Sequence, residues 1–361
     1  MTTPSSFTPE TVKKIAVLRA NALGDFIFSI PALAALRRTF PGAEIVLLGK
    51  PWHTKFVPGR VQAVDRVVVT PRYKGLGEPE DYQPDEAELT QFFLAMQAEH
   101  FDIALQMHGG GGNSNPFVSR LGAGFTAGMR DTGAPALDAT IAYVFHQNEI
   151  MRQLEVAAMV GASTSDIMPE VIVLPEDYAE ARSVSRKHGL QARYLVLHPG
   201  ATDPRRQWPP EHFAEVARHY MEQGYGVAVT AVAAEADLAE RICAAAPGAI
   251  NLTDTLSMGG LAALLSASAV VLSNDTGPLH LANAVGARTA GIYWVGNVIT
   301  AGPPRVARHR PLVSFQIDCP VCGVPTAQPE SKAERSCPHN DSIVAQVSPD
   351  YACRMIDQLL V

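Results

Sequence analysis

Lys14-Ile15-Ala16-Val17-Leu18, running into Arg19-Ala20-Asn21-Ala22-Leu23-Gly24-Asp25, is the stretch that decides the fold. A short apolar run without alternation, ended by a loop, predicts a parallel strand buried on both faces. A helical pattern follows as far as Phe40, where Pro41-Gly42 stops it. Pro31 predicts either a kink in that helix or a helix that becomes regular only beyond it. Residues 44–49 and 66–69 read as the second and third strands, so strand and helix alternate as in a doubly wound sheet. A polar, Pro- and Gly-rich loop spans 71–88, a length that marks a loop as mobile or functional. A helix near 89–98, a strand at 101–106 and an apolar helix at 150–160 complete the first half.

Residues 161–178 read as a connection, after which the pattern restarts. Strands are predicted at 194–197, 226–230 and 270–273, and helices at 209–223, 233–246, 261–266 and 278–285. The 361 residues suit two domains of ~100–200 residues each. With 47% hydrophobic and 18% charged residues the chain can bury large cores. A net charge of −7 without any Lys/Arg-rich run argues against nucleic acid as a partner. No apolar stretch approaches the ~18–20 residues of a membrane span, and the first fourteen residues lack the apolar core of a secretory signal, so a cytoplasmic location is expected.

Ser273-Asn274-Asp275-Thr276-Gly277-Pro278-Leu279-His280 is the strongest chemical constellation. It predicts a strand end, a tight turn and a helix start, where free amides and the helix dipole suit a phosphate. Thr276 and Gly277 offer donors, His280 reaches the same anion from the first turn, and Asp275 can accept hydrogen bonds from a ribose or sugar. The bland alternative is a capped helix with a buried histidine. His198-Pro199-Gly200-Ala201-Thr202-Asp203-Pro204-Arg205-Arg206-Gln207-Trp208-Pro209 repeats the arrangement; its arginines can neutralise a diphosphate, or simply be solvated. Trp208 reads as packing. Asp25 follows the first strand near a helix start, where the dipole favours an anion, and serves as a proton acceptor, a helix cap or both. The loop His108-Gly109-Gly110-Gly111-Gly112-Asn113-Ser114-Asn115 fits neither a dinucleotide fingerprint nor a P-loop. It folds around a sugar or phosphate, or is a surface turn. Cys319-Pro320-Val321-Cys322 with Cys337-Pro338-His339 leaves three readings open: a structural zinc site at Cys319, Cys322, Cys337 and His339, free or redox-active thiols, or a disulfide. The segment 348–361 predicts a capped amphipathic helix.

Taken in order, Arg19–Asp25 with Ile30-Pro31-Ala32-Leu33, His198–Ala201 with Gln207-Trp208-Pro209, and Asn274–Leu281 make the chain resemble glycosyltransferase family 9, the lipopolysaccharide heptosyltransferases and their relatives. The resemblance runs from Lys14 to the end. It implies an α/β, GT-B fold: two Rossmann-like domains facing across a cleft. An acceptor-binding domain would occupy 1–165 and a nucleotide-sugar-binding domain 166–345, with the helix of 346–361 crossing back to pack on the first. It also implies an inverting, metal-independent sugar transfer with no required cofactor. The donor would be ADP-heptose or another nucleotide-sugar, and the acceptor a lipopolysaccharide-type or other glycan. Asp25 matches the catalytic base. Thr202, Arg206, Leu256, Asp275, Thr276, Gly277, Pro278 and His280 fall on the donor side, and Arg19, Asn21, Gly24, His108, Asn113 and Ser114 on the acceptor side. The glycine-rich loop departs from the family pattern, which puts the acceptor in question. Arg37 and Arg38 raise peripheral contact with the inner membrane. Two alternatives compete: a sugar-nucleotide epimerase of the same fold and a non-catalytic nucleotide-sugar binder.

Overall fold

In the computed structural model, which describes residues 7–325 and 337–361, the chain divides between Ile172 and Val173 into two compact units. The first contains β1 (Lys14–Leu18), α1 (Leu23–Thr39), β2 (Glu44–Gly49), α2 (Pro51–Phe56), β3 (Arg66–Val69), α3 (Glu86–Gln97), β4 (Ile103–Gln106), α4 (Ser114–Ser119), β5 (Phe125–Arg130), β6 (Ala139–Ala142) and α5 (Glu149–Ala158). The second contains α6 (Pro175–His188), β7 (Tyr194–His198), α7 (Pro210–Glu222), β8 (Gly226–Val229), α8 (Ala236–Ala245), β9 (Ile250–Asn251), α9 (Met258–Ala267), β10 (Val270–Asn274), α10 (Gly277–Ala284), β11 (Thr289–Trp294), α11 (Val295–Ala301), β12 (His309–Ser314) and α12 (Pro349–Leu360).

Each unit is built on a six-stranded sheet, ordered β3-β2-β1-β4-β5-β6 and β12-β11-β10-β7-β8-β9. Every strand pairing in the two sheets is parallel. Numbered within its own unit, each sheet therefore has the order 3-2-1-4-5-6, the second viewed from its opposite edge. Ile15 to Leu18 are inaccessible, as a strand covered by helices on both faces requires. In such a sheet the connections leaving the central pair of strands run in opposite directions. The crevice they leave at the carboxyl ends, between β1 and β4 and between β7 and β10, is where ligands bind. The loops singled out from the sequence leave the ends of these four strands.

Several local readings change. Pro31 lies inside one continuous helix, α1, rather than delaying its start. The loop 71–88 is anchored: Tyr73 and Leu76 are buried in the first core, and Arg72 pairs with Glu78 at 2.8 Å. Arg37, one of two arginines considered for a lipid surface, is bound to Asp65 and to the carbonyl of Ala43 at 2.7 Å. No helix of the described residues is long and apolar enough to cross a membrane.

At the C-terminus, α12 packs in the second unit, against α7 and β12. Its stripe Ala352, Ile356 and Leu359 joins the core cluster that holds Trp208 and Tyr220. Tyr220 donates its hydroxyl to Asp357 at 2.9 Å, and the Trp208 indole donates to the Val347 carbonyl at 2.8 Å. Ile356→Ala, at a fully buried position, is expected to cost about 2–5 kcal/mol through lost contacts and the cavity left behind. Urea unfolding followed by tryptophan fluorescence measures this; a loss below about 0.5 kcal/mol is what a surface site would show.

Candidate functional site

In the second unit, polar side chains converge where β10 ends. Asn274, the last residue of β10, is fully buried. Its amide donates to the Pro199 carbonyl at 2.6 Å, and its oxygen accepts from the Trp208 amide at 3.1 Å. It thereby joins the loop after β7 to the end of β10. Asp275 is 4% exposed, and its carboxylate accepts from His280 Nε2 at 3.0 Å, from Arg206 at 3.3 Å and from the Asn297 amide. Burial alone would raise this carboxyl group. The hydrogen bond and charge of His280, the Asn297 amide and the Arg206 charge outweigh it and hold the group below the ordinary carboxylate range. The oxygens of Asp275, expected to meet a ribose or sugar, accept hydrogen bonds from these three protein groups.

Thr276 is the extended N-cap of α10 and makes no side-chain capping bond. Its carbonyl accepts from the amides of Leu279 at 3.0 Å and His280 at 3.3 Å. The helix start at Thr276 and Gly277, with Pro278 just inside, is part-exposed and carries the positive end of the helix dipole. Arg206 stands beside it; its neighbour Arg205 is spent on Asp203 at 2.7 Å. Thr202 is exposed, and Leu256 is half-buried ahead of α9. Sequence reasoning missed Asn297 and Glu235. A Cβ on Gly200 would fall 1.9 Å from Glu235 Oε2, so the glycine lets a carboxylate lie over the end of β7. Burial, with Asp237 nearby, raises the Glu235 carboxyl group.

In the first unit, Arg19 is the organiser. Its buried guanidinium donates to the carbonyls of Met107 at 2.5 Å and Asp25 at 2.9 Å. Arg19 Nη2 lies 3.5 Å from the Asp25 carboxylate and 3.6 Å from Glu149, which also pairs with the buried Arg152. Asp25 sits in the first turn of α1 with its side chain 41% exposed, so the carboxylate is oriented yet open to solvent. Asn21 has a buried side-chain oxygen with no hydrogen-bond partner, and Gly24 is buried.

The glycine-rich loop is a folded structure rather than a loose turn. Gly111 has φ of +92°, and a Cβ there would meet Asn115 at 2.4 Å and the Met129 carbonyl at 2.7 Å. Gln106, at the end of β4, donates to the His108 carbonyl and to Ser114 Oγ, and accepts from the Met129 amide. Ser114 also donates to the His108 carbonyl. His108 Nδ1 accepts from the Ala20 amide at 3.2 Å, which leaves Nε2 as the donor to the Gly75 carbonyl at 3.2 Å. His108 and Ser114, expected on the acceptor side, are buried and hydrogen-bonded within the unit. Asn113 lies at the surface with its amide on Glu80 at 2.7 Å. Cys319, Cys322, Cys337 and His339 come together, with one ligand atom from each within 4.8 Å of the others.

The family profile described as glycosyltransferase family 9 (heptosyltransferase) matches residues 89–330, more than half of the chain. Lipopolysaccharide heptosyltransferase 1 of Pseudomonas aeruginosa is 25% identical over 297 residues, covering 79% of each chain. Among solved structures, a glycosyl transferase family 9 protein from Veillonella parvula has a TM-score of 0.78 at 19% identity, over 96% of this chain and 97% of that one. The ADP-heptose lipopolysaccharide heptosyltransferase II of E. coli has a TM-score of 0.71 at 17% identity, over 96% and 98%. These likenesses place the chain among GT-B folds, with two Rossmann-like domains.

Burial pushes four imidazoles down: His108 and His309 to about 3, His53 and His198 to about 4. Unfolded, they take up protons below about 6.5, which the folded protein refuses until pH 3–4. Stability is therefore complete above about pH 6.5 and falls as the pH drops toward 4. The slope is at most about 1.4 kcal/mol per pH unit for each group. Urea midpoints at about pH 7.5 and pH 5 are expected to differ accordingly, and His108→Gln to flatten the dependence. Equal midpoints would contradict the buried, neutral state of these rings.

Proposed function

The chain belongs to glycosyltransferase family 9, and on that premise we propose that it moves a heptose from ADP-heptose to a hydroxyl of a lipopolysaccharide-core or related glycan acceptor. The transfer inverts the anomeric centre and uses no catalytic metal ion. The observation that carries this reading is the Arg206–Asp275–His280 cluster at the start of α10. It supplies prearranged cationic and hydrogen-bonding groups where the diphosphate of a nucleotide-sugar needs them. The names of the relatives supply the sugar and the nucleotide.

The second unit grips the donor. The amides of Thr276 and Gly277, the helix dipole, Arg206 and His280 bind the diphosphate and take up the charge that grows on it as the glycosidic bond breaks. Fixed dipoles and cations at the leaving group do the work a divalent ion does elsewhere. Glu235 offers a carboxylate to ribose hydroxyls. The first unit handles the acceptor. Asp25, oriented by Arg19 and open to solvent, takes the proton from the acceptor hydroxyl as the oxygen attacks the anomeric carbon opposite the nucleotide. An acceptor of this class is lipid-anchored, so the reading carries a peripheral contact with the inner membrane from a cytoplasmic location.

Transfer measured by mass spectrometry with ADP-heptose and a deacylated core acceptor tests the proposal. Asp25→Asn is expected to lower kcat by about 10²–10⁴-fold, the range of general-base catalysis, while the thermal shift produced by ADP persists. The rate should be the same with or without added Mg²⁺. Near-normal turnover of the variant would remove Asp25 from the base role. Failure of the native enzyme to transfer from ADP-heptose would remove the donor assignment.

A further inference from the structure

Beyond the transferase site, the second unit carries a cluster that the proposed reaction leaves unused. We propose that Cys319, Cys322, Cys337 and His339 form a Cys3His site that holds one structural zinc ion and braces the loop carrying Arg206. The donors are three sulfurs and one imidazole nitrogen, within 4.8 Å of one another. Cys322 Sγ lies 3.6 Å from Cys337 Sγ, which lies 3.7 Å from His339 Nδ1. Tetrahedral zinc with Zn–S of about 2.3 Å and Zn–N of about 2.0–2.1 Å requires edges of about 3.8 Å between sulfurs and about 3.6 Å between sulfur and nitrogen. Both observed separations match those edges to within about 0.2 Å.

The backbone around the first pair is shaped for a metal. Cys319-Pro320-Val321-Cys322-Gly323 folds as a tight turn in which the Gly323 amide donates to the Cys319 carbonyl at 2.9 Å. Gly323 adopts φ of +67°, a left-handed conformation that glycine accepts without strain. The Cys319 amide then donates to Val324 at 2.8 Å, and Asp318 bridges Pro325. A disulfide would join two of the three sulfurs and leave the third, with the imidazole, unexplained. Cys243 and Cys353 are separate: both pack against the second core.

Both arms of the cluster lead into the site. The first follows β12, where the Trp294 indole donates to the Gln316 carbonyl at 2.8 Å. The second runs from His339 to Ser342 and Ile343. Ser342 Oγ donates to the Gln207 carbonyl at 2.7 Å, and the Ile343 amide donates to the Arg205 carbonyl at 2.8 Å. The carbonyls on either side of Arg206 are therefore held by a segment that starts three residues beyond a zinc ligand. Losing the ion releases that segment, and with it the position of the guanidinium. This second consequence rests on the donor reading of Arg206; the metal site does not.

Metal analysis of the purified full-length protein, by inductively coupled plasma mass spectrometry, is expected to find one zinc per chain. A mercurial thiol reagent should release it stoichiometrically to a chromophoric chelator, a test that needs no variant to fold. Cys322→Ser and Cys337→Ser should lose the ion, whereas Cys353→Ser keeps it. Protein without zinc that also fails to take up added Zn²⁺ when reduced would overturn the site, and stoichiometric iron in its place would overturn zinc as its ion. With ADP-heptose, zinc-free protein that retains its circular dichroism should show a several-fold higher KM and little change in kcat. An unchanged KM would overturn the link to Arg206, whatever the metal content.

Discussion

The Asp275 carboxylate, buried at the end of β10, is the constraint around which the second unit is arranged. A charge in that position is tolerated only when it is paired and hydrogen-bonded, and removing its partners would cost several kcal/mol. His280, Arg206 and Asn297 meet this demand from three different segments. The carboxylate thereby fixes the direction of two side chains suited to an anion while withdrawing its own oxygens from solvent. Asn274, one residue earlier, does the same for the backbone by joining Pro199 and Trp208. On the proposed function, a diphosphate meets groups that are already in place and need little ordering.

The two units share one strand order and diverge in chemistry. In each, functional loops leave the ends of the two central strands, because there the chain turns away on both sides. The first unit places carboxylates at that point: Asp25 and Glu149 flank the buried guanidinium of Arg19. The second unit places a helix start and cations there. Under the proposed function, the first suits removal of a proton from an acceptor hydroxyl and the second suits the diphosphate that leaves as the sugar is transferred. A repeated scaffold can supply both by changing only its loops.

Much of this was legible in the sequence. The apolar, non-alternating runs at 14–18, 44–49, 194–197 and 270–273 identify buried parallel strands, since few other contexts bury both faces of so short a segment. The turn at Asp275–Pro278 and the residues Arg206 and His280 stood out as a candidate anion site from local chemistry, and the structure brings Asp275, Arg206 and His280 together. What escaped depended on long-range pairing. β5 and β6 contain Gly or half-exposed positions, so their pattern is weak, and α6 has few apolar residues. Glu235 reads as one more surface glutamate until Gly200 is seen beneath it. Asn297 carries no local signal at all. Gln106 and Asn274 did carry one, a polar residue closing an apolar strand. The burial of His108 also escaped, because its partners, Ala20 and Gly75, lie in distant segments. The docking of α12 was settled by Trp208 and Tyr220, residues about 130 positions away.

The central claim is that Asp275 acts by holding Arg206 and His280, and this separates cleanly from a simple charge effect. Isothermal titration of ADP into the native protein and into Asp275→Asn measures it directly. If the carboxylate positions these two groups, the variant binds ADP about tenfold or more weakly, a loss of about 1.4 kcal/mol or greater. Affinity that is unchanged, or that rises because a negative charge near the phosphates has been removed, would contradict the account.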